Sequence, residues 1–315
     1  MSTQPGPTVV AITGASGTIG SALSEALRAR GDRVVHLVRR ETRVAGIPRD
    51  VEERRWDPQR PTPAATLTGV DAVVHLAAPG IGERRWSKEY KARLREDRIA
   101  GTSSIAGAVA GCDPTPRLIS ASGVGYYGER GSDVLTEESQ LGQGFLAELC
   151  RDWEAATWRA EEAGASVAHI RTGIVLSPGE GAMGRVVPFA RAGLGGPLGS
   201  GKQYWSWITL HDHVRALMFL IDHPHITGPV NLTGPEPAPQ REVARVLGKQ
   251  LNRPSVFPAP TPALRVVLGE MASEILASQR ALPTVLQEAG FTWDQPDLHS
   301  AVAWLLQAEE LQRRD

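Results

Sequence analysis

Short apolar runs rich in β-branched residues alternate with longer helical patterns through the first half of the chain. The strand patterns lie at Thr8–Thr13, Val34–Val38, Ala72–Leu76, Arg117–Ser120 and Ser166–Thr172, and the helical patterns at Ile19–Arg30, Lys88–Ala110 and Phe145–Ala163. Runs such as VVAIT and AVVHLAA are nearly continuously apolar, which is typical of strands covered on both faces. The alternation predicts an α/β fold with right-handed crossovers, a Rossmann-type doubly wound parallel sheet.

The second half of the chain has a different texture. Eight glycines between Ser177 and Gly201 predict a long, adaptable loop over a site. The patterns beyond it predict strands at Trp205–Thr209 and Pro229–Thr233, an extended Pro-rich connector at Arg253–Pro262, and helices at His211–Asp222, Pro262–Leu276, Pro283–Ala289 and Asp297–Gln312. We therefore expect a smaller, mostly helical C-terminal lobe.

Charge and composition narrow the functional classes. The 315 residues contain 34 Lys and Arg against 35 Asp and Glu, a net charge of −1, so no global field would attract nucleic acid. No apolar run approaches the roughly 18 residues of a membrane span, and the N-terminus has no signal-peptide pattern. Cys112 and Cys150 are too few for a disulfide framework or a metal site. We expect a cytoplasmic protein with reduced thiols and no metal, nucleic-acid or membrane partner.

The strongest motif joins the first strand to the first helix. Gly14, Gly17 and Gly20 have the spacing that allows a tight turn, a close approach of diphosphate and close helix packing. The helix start offers free N–H groups, and the hydroxyls of Ser16 and Thr18 are further donors. The motif predicts a dinucleotide-binding domain over residues 1–175, its sheet completed by parts of 205–235, with substrate-side segments and the helical lobe in 176–315.

The end of the second strand indicates which dinucleotide binds. An acid there would hold a ribose 2′-hydroxyl, whereas a cation would accept a 2′-phosphate. Arg39 and Arg40 occupy this position, and guanidinium groups grip phosphate in a bidentate manner. The sequence therefore predicts NADP(H) rather than NAD(H).

Several motifs together resemble a known family. Thr13–Gly20, His75–Pro79, Arg98–Thr102 and Leu118–Gly128 are similar to motifs of extended and atypical short-chain dehydrogenase/reductases. Runs such as FLAELCRDWE and LGEMASEILASQRALPTVLQEAGF resemble one atypical subgroup, described as NAD-dependent epimerase/dehydratase-like or nucleoside-diphosphate-sugar epimerase proteins, sometimes as cell-division inhibitors, with a C-terminal domain of unknown function. The resemblance covers nearly the whole chain and implies a Rossmann fold with an NADP(H) site.

The resemblance also implies roles for individual residues. It assigns the diphosphate to Gly14, Ser16, Gly17, Thr18 and Ile19, the 2′-phosphate to Arg39 and Arg40, the adenine side to Asp57, and the nicotinamide ribose to His75, Leu76, Ala77 and Ala78. Ser122 stands at the family's catalytic serine. Arg98 replaces the asparagine of many extended members.

The catalytic dyad of the family is missing. Its tyrosine transfers the proton and a lysine four residues later lowers the tyrosine pKa. The corresponding positions hold Phe145 or Leu146 and Leu149 or Cys150, and no Tyr-x-x-x-Lys occurs in the sequence. A hydrocarbon transfers no proton, so the usual route is closed.

Other residues remain as candidates for the chemistry. Tyr126 and Tyr127 follow the strand of Ser122, where they act either as an acid/base or as pocket wall, and Cys150 is either titratable or inert. The substrate-facing set combines cations and indoles, with packing as the alternative for the tryptophans: Arg85, Trp86, Lys202, Gln203 and Trp205. His211, Asp212 and His213 suggest a metal or triad, but we interpret Asp212 as a helix cap.

Two hypotheses follow. The first is an NADP(H)-binding, epimerase/dehydratase-like oxidoreductase acting on an unknown small substrate, anionic or sugar-nucleotide-like. The alternative is a catalytically degenerate binding protein that senses NADP(H), which the missing dyad favours. The sequence does not define an oligomeric state.

Overall fold

The computed structural model describes residues 7–39 and 51–313. The strands are β1 (Val9–Thr13), β2 (Arg33–Val38), β3 (Glu52–Arg55), β4 (Ala72–His75), β5 (Arg117–Gly123), β6 (Val134–Leu135), β7 (Val167–Thr172), β8 (Ile174–Leu176), β9 (Tyr204–Trp205), β10 (Trp207–Thr209), β11 (Gly228–Leu232), β12 (Ala238–Pro239) and β13 (Arg280–Ala281). The helices are α1 (Thr18–Arg30), α2 (Lys88–Ala110), α3 (Phe145–Ala155), α4 (Trp158–Glu162), α5 (Gly181–Arg191), α6 (Leu210–Asp222), α7 (Gln240–Gln250), α8 (Thr261–Leu268), α9 (Met271–Ile275), α10 (Thr284–Glu288) and α11 (Leu298–Gln312).

A seven-stranded parallel sheet organises the molecule. Its strand order is β11-β7-β5-β4-β1-β2-β3, and the order reverses between β1 and β4. Thr13, the last residue of β1, pairs with His75 at the end of β4 and with Leu37 in β2. Ligands of such sheets bind outside the carboxyl ends of the strands at the point of reversal. The predicted Rossmann-type parallel sheet is confirmed, and the crevice beside β1 and β4 is the expected site.

Each face of the sheet carries its own core, which explains the continuously apolar strands. Val10 and Ile12 of β1 pack with helices α1 and α6, whereas Val9 and Ala11 pack on the opposite face with α2 and α4. Because successive strand side chains point to opposite faces, every position of β1 is buried. Parallel strands enclosed by helices on both faces have this pattern.

A third core forms the C-terminal lobe around α5, α7 and α11. The prediction of a long loop over Ser177–Gly201 is wrong here, because residues Gly181–Arg191 form α5. Met183, Val187 and Ala190 lie on one face of that helix and are buried in the lobe. Burial of this apolar stripe outweighs the low helix propensity of the glycines.

Several element boundaries also differ from the predictions. The predicted helix Phe145–Ala163 is divided into α3 and α4, and Pro262–Leu276 is divided at Gly269, whose φ is 63°. The predicted strand Trp205–Thr209 forms two short strands, β9 and β10. Of residues 205–235, β11 joins the main sheet, whereas β10 pairs with β8 outside it. The edge strand β3 was not predicted, because its sequence EERR has no apolar residue.

Two further expectations concern thiols and membranes. Cys112, half-buried, and Cys150, buried, are both free thiols. In the part of the chain that the structure describes, every helix is too short or too polar to cross a bilayer.

Candidate functional site

The loop between β1 and α1 is built in a way that glycine alone permits. Gly14 has a φ of +70°, and a Cβ there would lie 2.9 Å from the Ala77 backbone nitrogen. A Cβ on Gly20 would lie 2.3 Å from the Gly14 carbonyl oxygen, closer than real contacts allow. The Gly17 N–H donates to the same carbonyl at 3.0 Å, which closes the turn. The loop therefore holds the backbone flat against the start of α1, as an approaching diphosphate requires.

The first turn of α1 has electrostatics that suit an anion. The helix has no acidic residue in its first turn and no side-chain cap, so its first N–H groups and its positive dipole end remain available. Ser16 is exposed, and Thr18 and Ile19 are half-buried. The Thr18 hydroxyl donates to the carboxylate of Glu180, which comes from the turn before α5. The C-terminal half of the chain thus reaches the dinucleotide loop, a contact that the sequence did not indicate.

The predicted adenosine side of the site is partly described. Arg39 is exposed and directly follows β2, so its guanidinium is free to meet a phosphate at this edge. Arg40 lies outside the described residues. Asp57 is exposed beyond β3, where its carboxylate accepts the Gln59 N–H at 3.0 Å. Arg39 and Asp57 therefore follow neighbouring strands at the same end of the sheet.

His75 supports the site from behind. It is fully buried, and burial lowers its pKa to about 4, so the imidazole is neutral. The Thr13 hydroxyl accepts the Leu76 and Ala77 N–H groups at 3.0 and 3.1 Å and lies 2.8 Å from His75 Nδ1. This leaves the hydroxyl proton for Nδ1 and places the imidazole proton on Nε2, which lies 3.1 Å from the Thr102 hydroxyl. His75 therefore fixes the loop, whose residues Leu76, Ala77 and Ala78 are half-buried.

Ser122 belongs to a buried charged network. Its hydroxyl, in a residue 6% exposed, donates to Glu154 Oε1 at 2.7 Å. Arg171 binds both oxygens of the same carboxylate at 2.9 Å. Burial alone would lower the pKa of Arg171, but its hydrogen bonds to Glu154 and the charge of that carboxylate raise it above the usual value. The Ser122 hydroxyl is thus held by an ion pair that joins β7 to α3.

The two candidate tyrosines contact the same guanidinium. Tyr127 is fully buried, donates its phenol proton to Asn231 Oδ1 at 2.7 Å and accepts from Arg171 at 3.1 Å. Burial raises the pKa of Tyr127 to about 12. Tyr126 is half-buried, and the Arg171 guanidinium lies 3.5 Å from its ring centroid. Both rings have fixed structural partners, and a catalytic role for either stays a prediction.

Helix α3 carries the positions that correspond to the missing dyad. Leu146 is half-buried and Cys150 is 5% exposed. Burial raises the pKa of the Cys150 thiol to about 11, so it remains protonated at neutral pH. Neither side chain supplies a titratable group near pH 7.

The predicted substrate set does not form one surface. Trp205 is 4% exposed and belongs to the C-terminal core, while buried Gln203 donates to the Leu198 carbonyl at 3.0 Å. Lys202 is exposed. Arg85 and Trp86 lie elsewhere, in the segment between β4 and α2, which borders a cavity.

That cavity has a volume of about 480 Å³ and lies between the start of α2, the start of α3 and the α8–α9 segment. It is lined by aromatic and charged side chains: Trp86, Phe145, Lys91, Arg265, Glu270 and Glu274. Sequence reasoning found only Trp86 among them as a substrate residue. Lys91 and Phe145 come from the starts of α2 and α3, whereas Arg265, Glu270 and Glu274 come from the α8–α9 segment far along the chain, and no local motif marks the set.

The His211 cluster is engaged in structural contacts. Ligand atoms of His211, Asp212 and Asp294 lie within 4.8 Å of one another. The Asp212 carboxylate accepts the Asp294 and Gln295 N–H groups at 2.9 Å and pairs with Arg215 at 2.8 Å. The prediction that Asp212 caps α6 is wrong, because the Thr209 hydroxyl accepts the Asp212 N–H and is the cap. Asp212 instead anchors the segment before α11.

Comparison with known proteins agrees with this geometry. Residues 10–249 match the model of the NAD dependent epimerase/dehydratase family, and residues 259–305 match a domain of unknown function, DUF1731. The epimerase family protein Mb2239 of Mycobacterium bovis is 46% identical over 94% of this chain and 97% of its own. A chloroplastic SDR39U1 homolog of Arabidopsis thaliana is 35% identical over 95% of this chain and 86% of its own.

Solved structures give the same result. A crystal structure of human epimerase family protein SDR39U1 with NADPH superposes with a TM-score of 0.86 at 29% identity, covering 95% of this chain and 99% of that one. A nucleoside-diphosphate sugar epimerase from Corynebacterium glutamicum has a TM-score of 0.75 at 32% identity, covering 98% of this chain and 66% of that one. The resemblance noted in the sequence is confirmed, and the chain belongs to the NAD dependent epimerase/dehydratase family.

Proposed function

We propose that this protein binds NADP(H) and acts as an oxidoreductase on a carbonyl or hydroxyl group of a small anionic or sugar-nucleotide-like molecule. The observation that carries the proposal is the glycine loop, where a Cβ at Gly14 or Gly20 would strike backbone, followed by a helix with no side-chain cap and no acidic residue in its own first turn. That arrangement suits a diphosphate bridge. The human relative bound to NADPH supports the same cofactor.

The choice of NADP(H) over NAD(H) rests on charge. Arg39 is exposed at the end of β2, and Arg40 follows it in sequence. A ribose 2′-phosphate carries nearly two negative charges and accepts bidentate guanidinium hydrogen bonds. A plain 2′-hydroxyl gains little from two guanidinium groups, which favours the phosphorylated cofactor.

The bound cofactor would supply or accept hydride at the nicotinamide C4. The chain's own contributions are the backbone loop after β4, which Thr13 and His75 hold in place, and the adjoining cavity with its aromatic and cationic wall. Arg265 suits an anionic group, and Trp86 and Phe145 suit a ring. Cations and aromatics in one cavity favour a phosphorylated or carboxylated ring compound.

The proposed activity is tested by NADPH oxidation. We expect the protein to oxidise NADPH in the presence of at least one member of a panel of aldehydes, ketones and nucleotide-linked keto-sugars. Deuterium at C4 of the cofactor should be recovered on the product carbon. A protein that binds NADPH but gives no turnover above background across the panel would contradict the proposal.

The alternative is a binding protein that senses NADP(H). The absence of Tyr-x-x-x-Lys from the sequence favours it, since Leu146 and Cys150 transfer no proton near neutral pH. In that case NADPH should bind without turnover and should change which proteins are recovered with this chain. Recovery of the same proteins with and without NADPH removes the support for this alternative.

A further inference from the structure

We propose that Glu274 is the proton-transferring acid/base of this protein, serving a substrate carbonyl in the cavity between α2, α3 and α9. The inference rests on the proposed NADP(H)-dependent reaction. Glu274 would donate the proton that the tyrosine donates in other members of the family.

The position of the cavity supports this role. It adjoins the segment that leaves the carboxyl end of β4, where ligands of parallel sheets bind. Gly144 and Phe145, at the start of α3, line the cavity together with Glu274. Phe145 is at, or next to, the position that corresponds to the tyrosine in the family resemblance. The Glu274 carboxyl therefore shares a cavity with the place where the family keeps its proton donor.

Helix α9 is attached to the same segment. The Met271 sulfur lies 3.7 Å from the position of a Cβ on Gly82, in the β4–α2 connection. Met271 is 7% exposed, so α9 is anchored by a packed side chain. Three residues further on, Glu274 is presented toward the cavity from this fixed helix.

Glu274 lacks the partners that a structural carboxylate has. Among the described residues the Glu274 carboxylate forms no hydrogen bond or ion pair, although the residue is only partly exposed. Burial is the cause that raises the pKa of this carboxyl above its usual value. Half-buried carboxyl groups are normally paired, because desolvation of the charged form is costly. A half-buried, unpaired carboxyl whose pKa is raised holds its proton more readily than an exposed glutamate, which suits a general acid.

Its charged neighbours leave that carboxyl free. Lys91 is bound to Glu270 at 2.5 Å, so its charge is already paired. Arg265 lines the same cavity, and Arg85 lies 3.3 Å from the position of a Cβ on Gly269. Arg265 and Arg85 are thus available to an anionic substrate group, while the Glu274 carboxyl is unpaired among the described residues.

The reaction step balances with the cofactor of the proposed function. As hydride adds to the substrate carbonyl carbon, the π electron pair moves to the oxygen, and that oxygen takes the proton from the Glu274 carboxyl. The carbonyl is reduced to an alcohol, NADPH is oxidised to NADP⁺, and Glu274 becomes a carboxylate. Water entering the open cavity returns the proton. The oxidation direction reverses each transfer.

The test compares Glu274→Gln, Glu274→Asp and Glu270→Gln in the full chain, with NADPH and the carbonyl from the panel that wild type reduces best. We expect Glu274→Gln to lower kcat about 100-fold, the lower end of the range for general acid catalysis. KM and the dissociation constant of NADPH should change less than twofold. Glu274→Asp should recover part of the lost kcat.

The pH profile separates proton transfer from a structural role. Because the acid must be protonated, wild-type kcat should fall as pH rises through the pKa of Glu274, and Glu274→Gln should lose this alkaline limb. Glu270→Gln removes a charge from the same cavity and should retain the limb. If Glu274→Gln keeps the wild-type kcat, or weakens NADPH binding, the role of Glu274 is wrong but the proposed function still stands. Wild type that binds NADPH without turnover overturns the proposed function, and this inference with it.

Discussion

Replacing Arg171 with methionine is expected to lower the free energy of unfolding by about 3 to 5 kcal/mol, the cost of stranding a buried charge. Arg171 is 3% exposed and binds both oxygens of Glu154 at 2.9 Å. Its removal leaves the Glu154 carboxylate unpaired and withdraws a hydrogen bond from Tyr127. Since Arg171 connects β7, α3 and the Tyr126–Tyr127 turn, the loss extends to the whole carboxyl end of the sheet.

Urea denaturation followed by tryptophan fluorescence measures this change. The double variant Arg171→Met and Glu154→Gln should lose less than the single variant, because no unpaired charge remains. The matched control is Arg245→Met, which breaks an exposed pair with Glu242 in α7 and should leave the free energy of unfolding nearly unchanged. A loss below about 1 kcal/mol in Arg171→Met would show that the network is not a stabilising centre.

Gly20→Ala is expected to weaken NADPH binding at least about 100-fold, equivalent to roughly 2.7 kcal/mol. Its Cβ would lie 2.3 Å from the Gly14 carbonyl oxygen and 2.8 Å from the Ala15 Cα, both rigid backbone atoms. Helix α1 must move away from β1, and the Gly14–Gly17 turn must open with it. The anion site at the helix start is then lost, together with some stability from disturbed packing.

Fluorescence titration with NADPH checks this effect, and Gly107→Ala is the control. Gly107 lies inside α2, where a Cβ would meet only the Arg159 side chain at 3.9 Å. Alanine favours a helix by about 1 kcal/mol over glycine, so this variant should be at least as stable as wild type. Because the added Cβ displaces no backbone atom, NADPH binding should be unchanged. If Gly20→Ala binds NADPH within threefold of wild type, the loop does not work as described.

Local chemistry made the first half of the chain predictable. The apolar β1, the glycine turn and the amphipathic α1 follow one another along the chain, and each of them indicates a strand–turn–helix unit that binds a dinucleotide. The parallel sheet follows from that alternation, and the structure confirms it. The edge strand β3 escaped prediction because strand pairing with β2, rather than side-chain pattern, defines it.

The site was harder to predict because it is assembled across long sequence distances. Glu180 meets Thr18, and Glu274 shares a cavity with Phe145. No spacing in the sequence encodes these contacts, since they depend on how the C-terminal lobe packs on the sheet. Trp205 was predicted to face the substrate but lies in the C-terminal core. The sequence alone does not distinguish the two positions, because a tryptophan packs equally well in a core and in a pocket wall.

The most direct test of the central claim is a titration of nucleotide-free protein with NADPH and NADH by calorimetry. We predict that NADPH binds about 100-fold more tightly than NADH, a difference of roughly 2.7 kcal/mol from the 2′-phosphate contacts. Arg39→Ala should reduce this preference and leave NADH binding unchanged. Failure to bind either nucleotide, or a clear preference for NADH, would contradict the account.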